Sequence, residues 1–372
     1  MKFKVNKNDV LDVLSKIQGL TGRKTNLAIT ESILIRSTDT GISIVATDLE
    51  TGFEGFYPAE IEKDGVIAIN SRKLYEIIRD FPNDDILINE VENHWIEIGK
   101  GKVFYHIVGM NPDEYPESPF FDEVSFIEID SAVLKRMIEN TVMISGSSDE
   151  KRAHLTGILF ERKEIGGQKI VRMVSTDGSR LNKDEYNIPE DAEFKTSENI
   201  IIPKKGLSEV AKFLDRDGMV KIGNKDDKLI IKKDRETIIV RLLEGDFPEY
   251  ADVIKKNDEN ILKLNIKLFQ MMLKRMSILS SDEYKSAIFS FKNDNFTIKA
   301  TNPDIGESKE DMVIKFKREM IEAAFNPKYF LDTLGLIEGD TVVIYLKDNE
   351  SPCLLEGVDD KNFISVIMPM RI

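Results

Sequence analysis

The sequence contains very little cysteine and no long uncharged stretch. Cys353 is the only cysteine among 372 residues, so no disulfide can form within one chain, and a lone thiol is typical of a reducing compartment. No run of about 18 apolar residues is present, which argues against a transmembrane helix. The residues that follow Met1 lack the apolar core of a secretion signal. These absences predict a cytoplasmic protein.

Net positive charge is also missing. The net charge is −14 and the pI is near 5.0, which taken alone argues against a protein that grips DNA through a basic surface. Apolar residues make up 41% of the chain and charged residues 32%, so the chain can bury cores beneath a well-solvated surface. A length of 372 residues is typical of two or three domains.

Three kinds of segment recur in the same order, each about one third of the chain after its predecessor. The first is an amphipathic helix, with apolar residues three or four positions apart; it contains Val10, Leu14 and Ile17, then Leu134 and Ile138, then Leu268 and Met272. The second is a strand that ends in a polar turn, at Thr47-Asp48, Thr176-Asp177 and Thr301-Asn302. The third is a short helix whose start suits N-cap or first-turn residues, near Asn70, Pro203 and Asn326.

Short β-type runs separated by turn signals fill the intervals between these segments. They include residues 42–45, 157–160, 228–231 and 342–345. Each third is therefore predicted to be an antiparallel sheet with two helices on one side, which makes the fold class α+β with three equivalent domains. The predicted domains are residues 1–125, 126–254 and 255–372.

Few residues suggest chemistry. The three histidines, His94, His106 and His154, have no metal-ligand spacing. Asp48 and Asp177 could be imagined as a carboxylate pair for two-metal catalysis, but the third copy of the motif has Asn302 at that position. The sequence therefore predicts no catalytic residue, no metal and no cofactor.

The recurring helices carry positive charge that the rest of the chain lacks. They are predicted at residues 6–18, 70–80, 131–142, 203–216, 265–278 and 326–334. Together they hold a net charge of +7, which leaves −21 on the remainder. If all six face one way, they form a mildly basic surface whose phosphate contacts read no base sequence and weaken with salt; otherwise these are ordinary solvated lysines. The predicted DNA-facing residues are Arg23, Lys24, Arg72, Lys135, Arg136, Lys204, Lys205, Lys212, Lys274 and Arg275.

Six short signatures, taken in order, resemble the bacterial DNA polymerase III β subunit family of sliding clamps. They are Met1-Lys2-Phe3, Thr47-Asp48-Leu49-Glu50, Gly157-Ile158-Leu159-Phe160, Thr176-Asp177-Gly178-Ser179-Arg180-Leu181, Gly245-Asp246-Phe247-Pro248-Glu249-Tyr250 and Met368-Pro369-Met370-Arg371-Ile372. Each is weak alone, but all six at the correct spacing form a specific pattern over the full length. The resemblance implies a non-catalytic processivity factor that encircles duplex DNA and tethers the replicative polymerase during DNA replication and repair.

The resemblance also implies a DNA-clamp fold, in which a head-to-tail homodimer of six domains makes a ring with sheets outside and helices lining the hole. The implied dimer contact places Lys73, Ile77, Phe104 and His106 on one side. Ile278, Leu279 and Glu307 lie opposite, the last within a loop expected at residues 304–310. Lys309 makes this loop less acidic than is usual in the family.

A pocket for partner peptides is implied as well, for the polymerase III α subunit, the clamp-loader δ subunit and other proteins with a clamp-binding motif. Such peptides carry apolar residues and a glutamine, and methionine side chains can repack around differing partners. The positions that match are Arg152, Leu155, Thr176, Gly178, Arg180, Leu181, Pro248, Val253, Asn326, Tyr329, Val366, Ile367, Met368, Pro369, Met370 and Arg371. Ser179 replaces a frequent histidine and Asp252 a common basic residue, so peptide preference is expected to differ.

Two other classes of function are discriminated by simple tests. A metal-dependent hydrolase of nucleotides or sugar phosphates would depend on Asp48 or Asp177, and changing both to asparagine would abolish its activity. A clamp would tolerate the same changes. An acidic scaffold would bind peptides but would show no topological association with DNA.

Overall fold

The computed structural model describes most of the chain, namely residues 1–21, 27–82, 84–116, 124–144, 153–189, 199–215, 217–257, 260–279, 284–316 and 319–371. The chain divides into two compact units. The first is built mainly from residues 1–135 and 205–243, and the second mainly from residues 136–190 and 244–372. The second third of the chain therefore contributes to both units.

The helices lie where the sequence predicts them. Over the described ranges they are α1 (Lys7–Lys16), α2 (Gln18–Thr21), α3 (Ser71–Asp80), α4 (Ser131–Val142), α5 (Ala153–Thr156), α6 (Lys204–Phe213), α7 (Ile266–Met276) and α8 (Pro327–Leu334). Side-chain acceptors cap several of their first turns: Asn70 accepts from the backbone N–H of Lys73 at 3.0 Å, and Asn265 from that of Leu268 at 3.0 Å. None of these helices has the length and apolar character needed to span a bilayer.

The strands follow one another in three comparable series. The first series is β1 (Lys2–Asn6), β2 (Ser32–Thr38), β3 (Gly41–Thr47), β4 (Thr51–Pro58), β5 (Glu60–Lys63), β6 (Val66–Asn70), β7 (Asp85–Glu90), β8 (Trp95–Lys100) and β9 (Val103–Val108). The second is β10 (Phe126–Asp130), β11 (Gly157–Ile165), β12 (Gln168–Thr176), β13 (Arg180–Asn187), β14 (Ile200–Pro203), β15 (Met219–Lys225), β16 (Lys228–Lys233) and β17 (Glu236–Arg241). The third is β18 (Asn260–Asn265), β19 (Ala287–Lys292), β20 (Asn295–Asn302), β21 (Gly306–Val313), β22 (Ile321–Phe325), β23 (Thr341–Leu346), β24 (Cys353–Gly357) and β25 (Ile364–Ile367).

The predicted threefold repeat is confirmed by the order of these elements. Each third runs from one strand into a helix, through three strands, then through one strand into a second helix, and ends with three more strands. The additions to this order are β5 and the one-turn helices α2 and α5. Six of the helices come within three residues of their predicted ends, so apolar periodicity and N-cap or first-turn residues both located helices correctly.

The strands form antiparallel sheets. In the first unit, sheet I has the order β5-β1-β7-β8-β9, and sheet II the order β10-β15-β16-β17-β4-β3-β2-β6. In the second unit, sheet III has the order β14-β11-β12-β13-β25-β24-β23-β18, and sheet IV the order β21-β20-β19-β22.

The expectation of one sheet for each third was wrong. Each third divides its strands between two sheets, and sheets II and III each join strands from successive thirds. In sheet II, β17 pairs with β4, with Ile238 opposite Phe53. In sheet III, β13 pairs with β25, with Leu181 opposite Val366. Residue patterns indicate that a segment is a strand, but its partner is set by a distant segment.

Helices pack against each other and against the sheets through their apolar faces. In the first unit α1 contacts α3, and in the second unit α7 contacts α8. The helix α8 buries Phe330, whose ring centroid lies 5.0 Å from that of Phe289, 5.4 Å from that of Phe325 and 5.9 Å from that of Phe269. Cys353 is buried in the same core, and burial raises the pKa of its thiol.

This aromatic cluster gives a stability prediction. Replacing Phe330 with alanine is expected to lower the free energy of unfolding by about 3–5 kcal/mol, because it removes a fully buried ring and leaves a cavity. The matched control is Phe56→Ala, since Phe56 is 47% exposed and its loss should cost little. Urea unfolding of both variants measures the difference, and equal losses would contradict the packing of this core.

Candidate functional site

The recurring polar turn has the same geometry in all three thirds. The Oδ1 atom of Asp48 accepts the backbone N–H groups of Glu50 at 3.1 Å and Thr51 at 2.7 Å. The Oδ1 atom of Asp177 accepts those of Ser179 and Arg180, both at 3.0 Å. In the third copy, Oδ1 of Asn302 accepts the N–H of Asp304 at 3.0 Å. These side chains therefore shape turns, as local acceptors of this type commonly do.

The two turn carboxylates are also paired with cations. Lys205 Nζ lies 2.5 Å from Oδ2 of the buried Asp48, and Arg180 Nε lies 3.1 Å from Oδ2 of Asp177. Within the described ranges, no group of three or more His, Cys, Asp or Glu residues is placed to hold a metal ion. The two carboxylates that a hydrolase would use, Asp48 and Asp177, are thus engaged in turns and ion pairs.

Several of the predicted DNA-facing cations form ion pairs on their own helices. On α3, Arg72 Nε lies 3.1 Å and Lys73 Nζ 2.9 Å from the carboxylate of Glu76, and hydrogen bonds from Lys73 and Arg72 lower the pKa of that carboxyl. On α6, Lys212 Nζ lies 2.6 Å from the Glu209 carboxylate. The α3 pairs are largely exposed, so they are worth little energy and can open to solvent, whereas Glu209 of the α6 pair is buried.

Two cations of α4 are directed towards the protein. Lys135 Nζ donates to the backbone carbonyl of Leu214 at 3.1 Å. Arg136 Nη2 lies 3.1 Å from Asp184, and its Nη1 lies 3.9 Å from Asp360. Burial raises the pKa of Asp184, while the charge of Arg136 opposes that shift. Arg136 is therefore largely engaged in an internal network, which reduces its availability to a phosphate.

The helix α7 carries the most positive charge. Arg275 Nε lies 2.7 Å from the carboxylate of Glu310, which raises the pKa of the arginine. Lys274 is exposed, and so are Lys267 and Lys328, two cations that the predicted set omitted. The predicted residues Arg23 and Lys24 lie outside the described residues. The net charge of +7 on α1, α3, α4, α6, α7 and α8 equals the predicted value.

Many predicted pocket residues come together in the second unit around the turn that joins β12 to β13. Gly178 occupies the left-handed region at φ 86°, and Thr176 Oγ1 donates to the Arg180 carbonyl at 2.9 Å. The chain after β25 lies beside this turn, since the Met368 N–H donates to the Ser179 carbonyl at 2.9 Å.

The same tail continues to sheet IV. The Met370 N–H donates to the Ala324 carbonyl at 2.8 Å, next to Asn326, which caps α8. Met368 and Pro369 are half-buried, whereas Met370 and Arg371 are exposed. The tail at residues 368–370 thus presents methionine and proline side chains, and a backbone hydrogen bond holds it at each end.

The other predicted pocket residues divide into three groups. Some are core residues that support the turn and tail, namely Leu155, Leu181, Val366 and Ile367. Two line separate cavities. Pro248 lines a polar cavity of about 380 Å³, and Val253 lines a cavity of about 820 Å³ that also contains lysine residues in its lining. Arg152 falls outside the residues that the structure describes.

Arg180 holds the turn against α8. Its Nη1 lies 2.7 Å from Oδ2 of Asp332, and its Cζ lies 4.3 Å from the centroid of the Tyr329 ring. Burial, together with the charge of Arg180, lowers the pKa of Lys204. Sequence reasoning omitted Asp332, although its position three residues after Tyr329 on one helix was a usable signal. Its partner lies 152 residues away in sequence, which no local pattern reveals.

The predicted dimer residues on the first unit are mixed in exposure. Phe104 on β9 is 52% exposed, and the exposed His106 lies with its ring centroid 4.4 Å from that of Trp95. Ile77 is buried within its own chain, so it is not available to a partner chain on this surface.

On the second unit, Ile278 is 75% exposed and Leu279 is half-buried. The expectation of a loop at residues 304–310 was wrong, because residues from Gly306 onward form the strand β21 and pair with β20. Glu307 on this strand lies 2.9 Å from Lys299 Nζ. The loop was implied only by the family resemblance, whereas the alternating polar residues of this segment suit an edge strand with one solvated face.

Comparison with known proteins gives consistent matches along the whole chain. Family models of the DNA polymerase III beta subunit match its N-terminal domain to residues 1–119, its central domain to residues 128–249 and its C-terminal domain to residues 251–371. The Beta sliding clamp of Bacillus subtilis is 28% identical over 386 aligned residues, which cover 100% of both chains. That of Chlamydia pneumoniae is 27% identical over 372 residues, covering 100% of this chain and 99% of the relative.

Solved structures give the same result. The DNA polymerase sliding clamp from Bacillus subtilis superimposes with a TM-score of 0.92 at 26% identity, covering 100% of this chain and 99% of that one. A DNA polymerase III beta subunit from Caulobacter crescentus gives a TM-score of 0.92 at 26% identity over 100% of both chains.

A threefold α+β repeat whose successive thirds share sheets, with its turn carboxylates committed to structure, defines a non-catalytic protein of the sliding-clamp class. The chain belongs to the DNA polymerase III beta subunit family. Its role is that of a DNA sliding clamp, a processivity subunit of a polymerase holoenzyme.

The structural role of Asp48 is testable. Asp48→Ala removes the acceptor of two backbone N–H groups and is expected to lower the free energy of unfolding by about 1–3 kcal/mol. Asp48→Asn keeps that acceptor, as Asn302 does in the third turn, and should therefore cost less than Asp48→Ala. Urea unfolding measures both values. A folded Asp48→Asn variant that had lost all function would favour a catalytic role instead.

Proposed function

We propose that two copies of this chain join head to tail into a ring around duplex DNA, and that the ring tethers a polymerase. The pattern of sheet joining carries this proposal. Two successive parts of the chain share a sheet in the same way each time. The last strand of the later part pairs with the strand that follows the polar turn of the earlier part, as β17 does with β4 and β25 with β13. In the described residues, β9 and β21 are the corresponding strands that end sheets I and IV. A second copy supplies β21 to β9.

The side chains at these two edges suit strand addition. β9 has no acidic residue and exposes Phe104, Tyr105 and Val108. β21 ends at Val313, which is 87% exposed. An edge strand with unpaired backbone and exposed apolar residues is a template for another chain. One such contact at each end of the chain gives a heterologous interface, which forms a ring when its rotation closes.

The charge distribution supports DNA as the molecule inside the ring. The six long helices carry +7 and the rest of the chain −21. Exposed cations such as Lys267, Lys274 and Lys328 supply weak contacts to phosphate, which fix no base sequence and allow sliding. The ring stays on its duplex because it is threaded, and the cations only guide it.

Tethering requires a site for partners on the ring. The turn at Thr176, the Met368–Met370 tail and α8 frame a surface of apolar and hydrogen-bonding groups that suits a short extended peptide. A polymerase or clamp-loader segment bound there, such as one from the α or δ subunit, would raise the local concentration of its enzyme at the primer end. Residues 1–125, 126–254 and 255–372 are the three domains of the proposed ring subunit.

The dimer contact can be tested through either edge. Phe104→Glu on β9 and Ile278→Glu beside sheet IV are each expected to shift the protein from twice the 42.4 kDa chain mass to the single chain mass at micromolar concentration. A buried unpaired carboxylate costs several kcal/mol at an interface. Sedimentation equilibrium measures the mass.

Phe56→Glu is the matched control, because Phe56 is 47% exposed on β4 of sheet II, a sheet that contains neither β9 nor β21, and this variant should remain dimeric. A wild-type chain that sediments as a monomer at the same concentration would count against the ring. So would a dimer that persists in both edge variants.

Threading is tested with closed and open DNA. The protein is loaded by its clamp loader onto a nicked circular plasmid, and the circle is then cut with a restriction enzyme. The protein should stay on the circle in about 0.5 M salt, which disrupts charge-based adhesion, and should be lost from the linear product. Gel filtration of labelled protein with DNA measures both states.

Blocking both ends of the linear DNA with bound protein is the control, and it should restore retention. Loss from the circle at the same rate as from the linear DNA would show adhesion instead of threading. Lys274→Glu should leave topological retention intact, because no single phosphate contact holds the ring.

A further inference from the structure

The guanidinium of Arg180 is held from two directions. Asp177, in the turn before β13, accepts from Nε at 3.1 Å, and Asp332, on α8, lies 2.7 Å from Nη1. Between these carboxylates, the guanidinium stacks on the ring of Tyr329 at 4.3 Å. The Arg180 side chain is only 12% exposed, so its orientation is fixed by these three neighbours.

The charges of this group balance. Arg180 and Lys204 bring two positive charges, and Asp177 and Asp332 bring two negative charges. Charge-assisted hydrogen bonds in a partly buried setting are stronger than those in water. The group therefore presents an ordered stack of guanidinium and ring to any peptide in the pocket, with little net charge.

We propose that Asp332 is a positioning residue for the partner-peptide pocket: it anchors and neutralises Arg180 on Tyr329, so that the pocket selects peptides by apolar side chains and hydrogen bonds and does not attract acidic ones. This inference rests on the proposed peptide pocket. Asp332 itself touches no peptide in this account. It acts through Arg180. Arg180 lies beside the tail, because the Met368 N–H donates to the carbonyl of the preceding residue, Ser179.

Removing Asp332 has two separable consequences. Arg180 loses one of its two anchors, so the stacked surface becomes less ordered and every peptide binds less well. At the same time Asp177 alone remains against Arg180 and Lys204, which leaves a net positive charge beside the pocket, so a peptide with a carboxylate regains affinity that a neutral peptide cannot. A role in stability alone would weaken both peptides equally.

The test uses the full-length protein and two fluorescein-labelled nine-residue peptides. Both contain a glutamine followed by leucine and phenylalanine, and they differ only at one further position beside the leucine, which is glutamine in the neutral peptide and glutamate in the acidic one. Fluorescence polarisation is expected to show that Asp332→Asn weakens the neutral peptide about tenfold and raises the ratio of acidic to neutral affinity at least threefold or so. Asp332→Glu should restore most of both values.

Glu185→Gln is the matched control. Glu185 lies on β13, is 23% exposed and lies 2.8 Å from Arg172. Asp332 is similar, because it is 27% exposed and lies 2.7 Å from Arg180. This variant should leave both affinities unchanged. In an Arg180→Gln background, Asp332→Asn should no longer change the ratio, because the cation that it releases is absent.

Equal weakening of both peptides by Asp332→Asn, or no weakening of either, would overturn the positioning role. If Asp332→Asn fails to fold, the affinity ratio is measured on Arg180→Gln alone. That variant should bind the neutral peptide more weakly without favouring the acidic one. An unchanged affinity for the neutral peptide overturns the proposal. Failure of the wild-type protein to bind either peptide is a different result. It would contradict the proposed peptide pocket itself, and with it the positioning role of Asp332.

Discussion

Backbone hydrogen bonding at strand edges is the constraint on which the rest of this structure depends. A sheet edge that carries unpaired N–H and C=O groups must be covered, paired or tolerated in water. In sheets II and III the chain pairs such edges by joining strands from successive thirds, through β4 with β17 and β13 with β25. The repeat is therefore more than a sequence of similar domains, because neighbouring thirds complete each other's sheets.

The same constraint separates the ring's closure from its attraction for DNA. If closure depends on backbone pairing between β9 and β21 and on apolar side chains, it is insensitive to the charge of the helices. Those helices can then remain weakly basic, since nothing requires them to hold the DNA tightly. The ion pairs on α3, α6 and α7 fit this division, because they hold cations such as Arg72, Lys212 and Arg275 partly neutralised.

Local structure could be predicted from the sequence, whereas long-range pairing could not. Apolar periodicity located the first helix of each third, N-cap and first-turn residues located the second, and the Thr-Asx pairs located the repeated turns. The joining of sheets across thirds and the attachment of Arg136 to Asp184 depend on partners far away in the chain. The strand at Gly306–Val313 was missed although its partner, β20, directly precedes it. Composition identified the cations of the helices, but only the fold tells which are engaged inside the protein, as Arg136 is, and which are exposed, as Lys274 is.

Comparison of the three turns shows how the proposed partner site differs from its two counterparts. The same side-chain cap shapes all three, but each turn is held by a different group. Lys205 of α6 reaches Asp48 in the first, and the Leu279 carbonyl accepts from Asn302 in the third. In the second, Arg180 belongs to the turn itself and extends to Asp332 of α8. A cation supplied by the turn places an ordered aromatic and guanidinium surface beside the tail, and the other two turns lack that arrangement. The proposed partner site therefore differs from the other two turns in the group that holds the turn, and not in its fold.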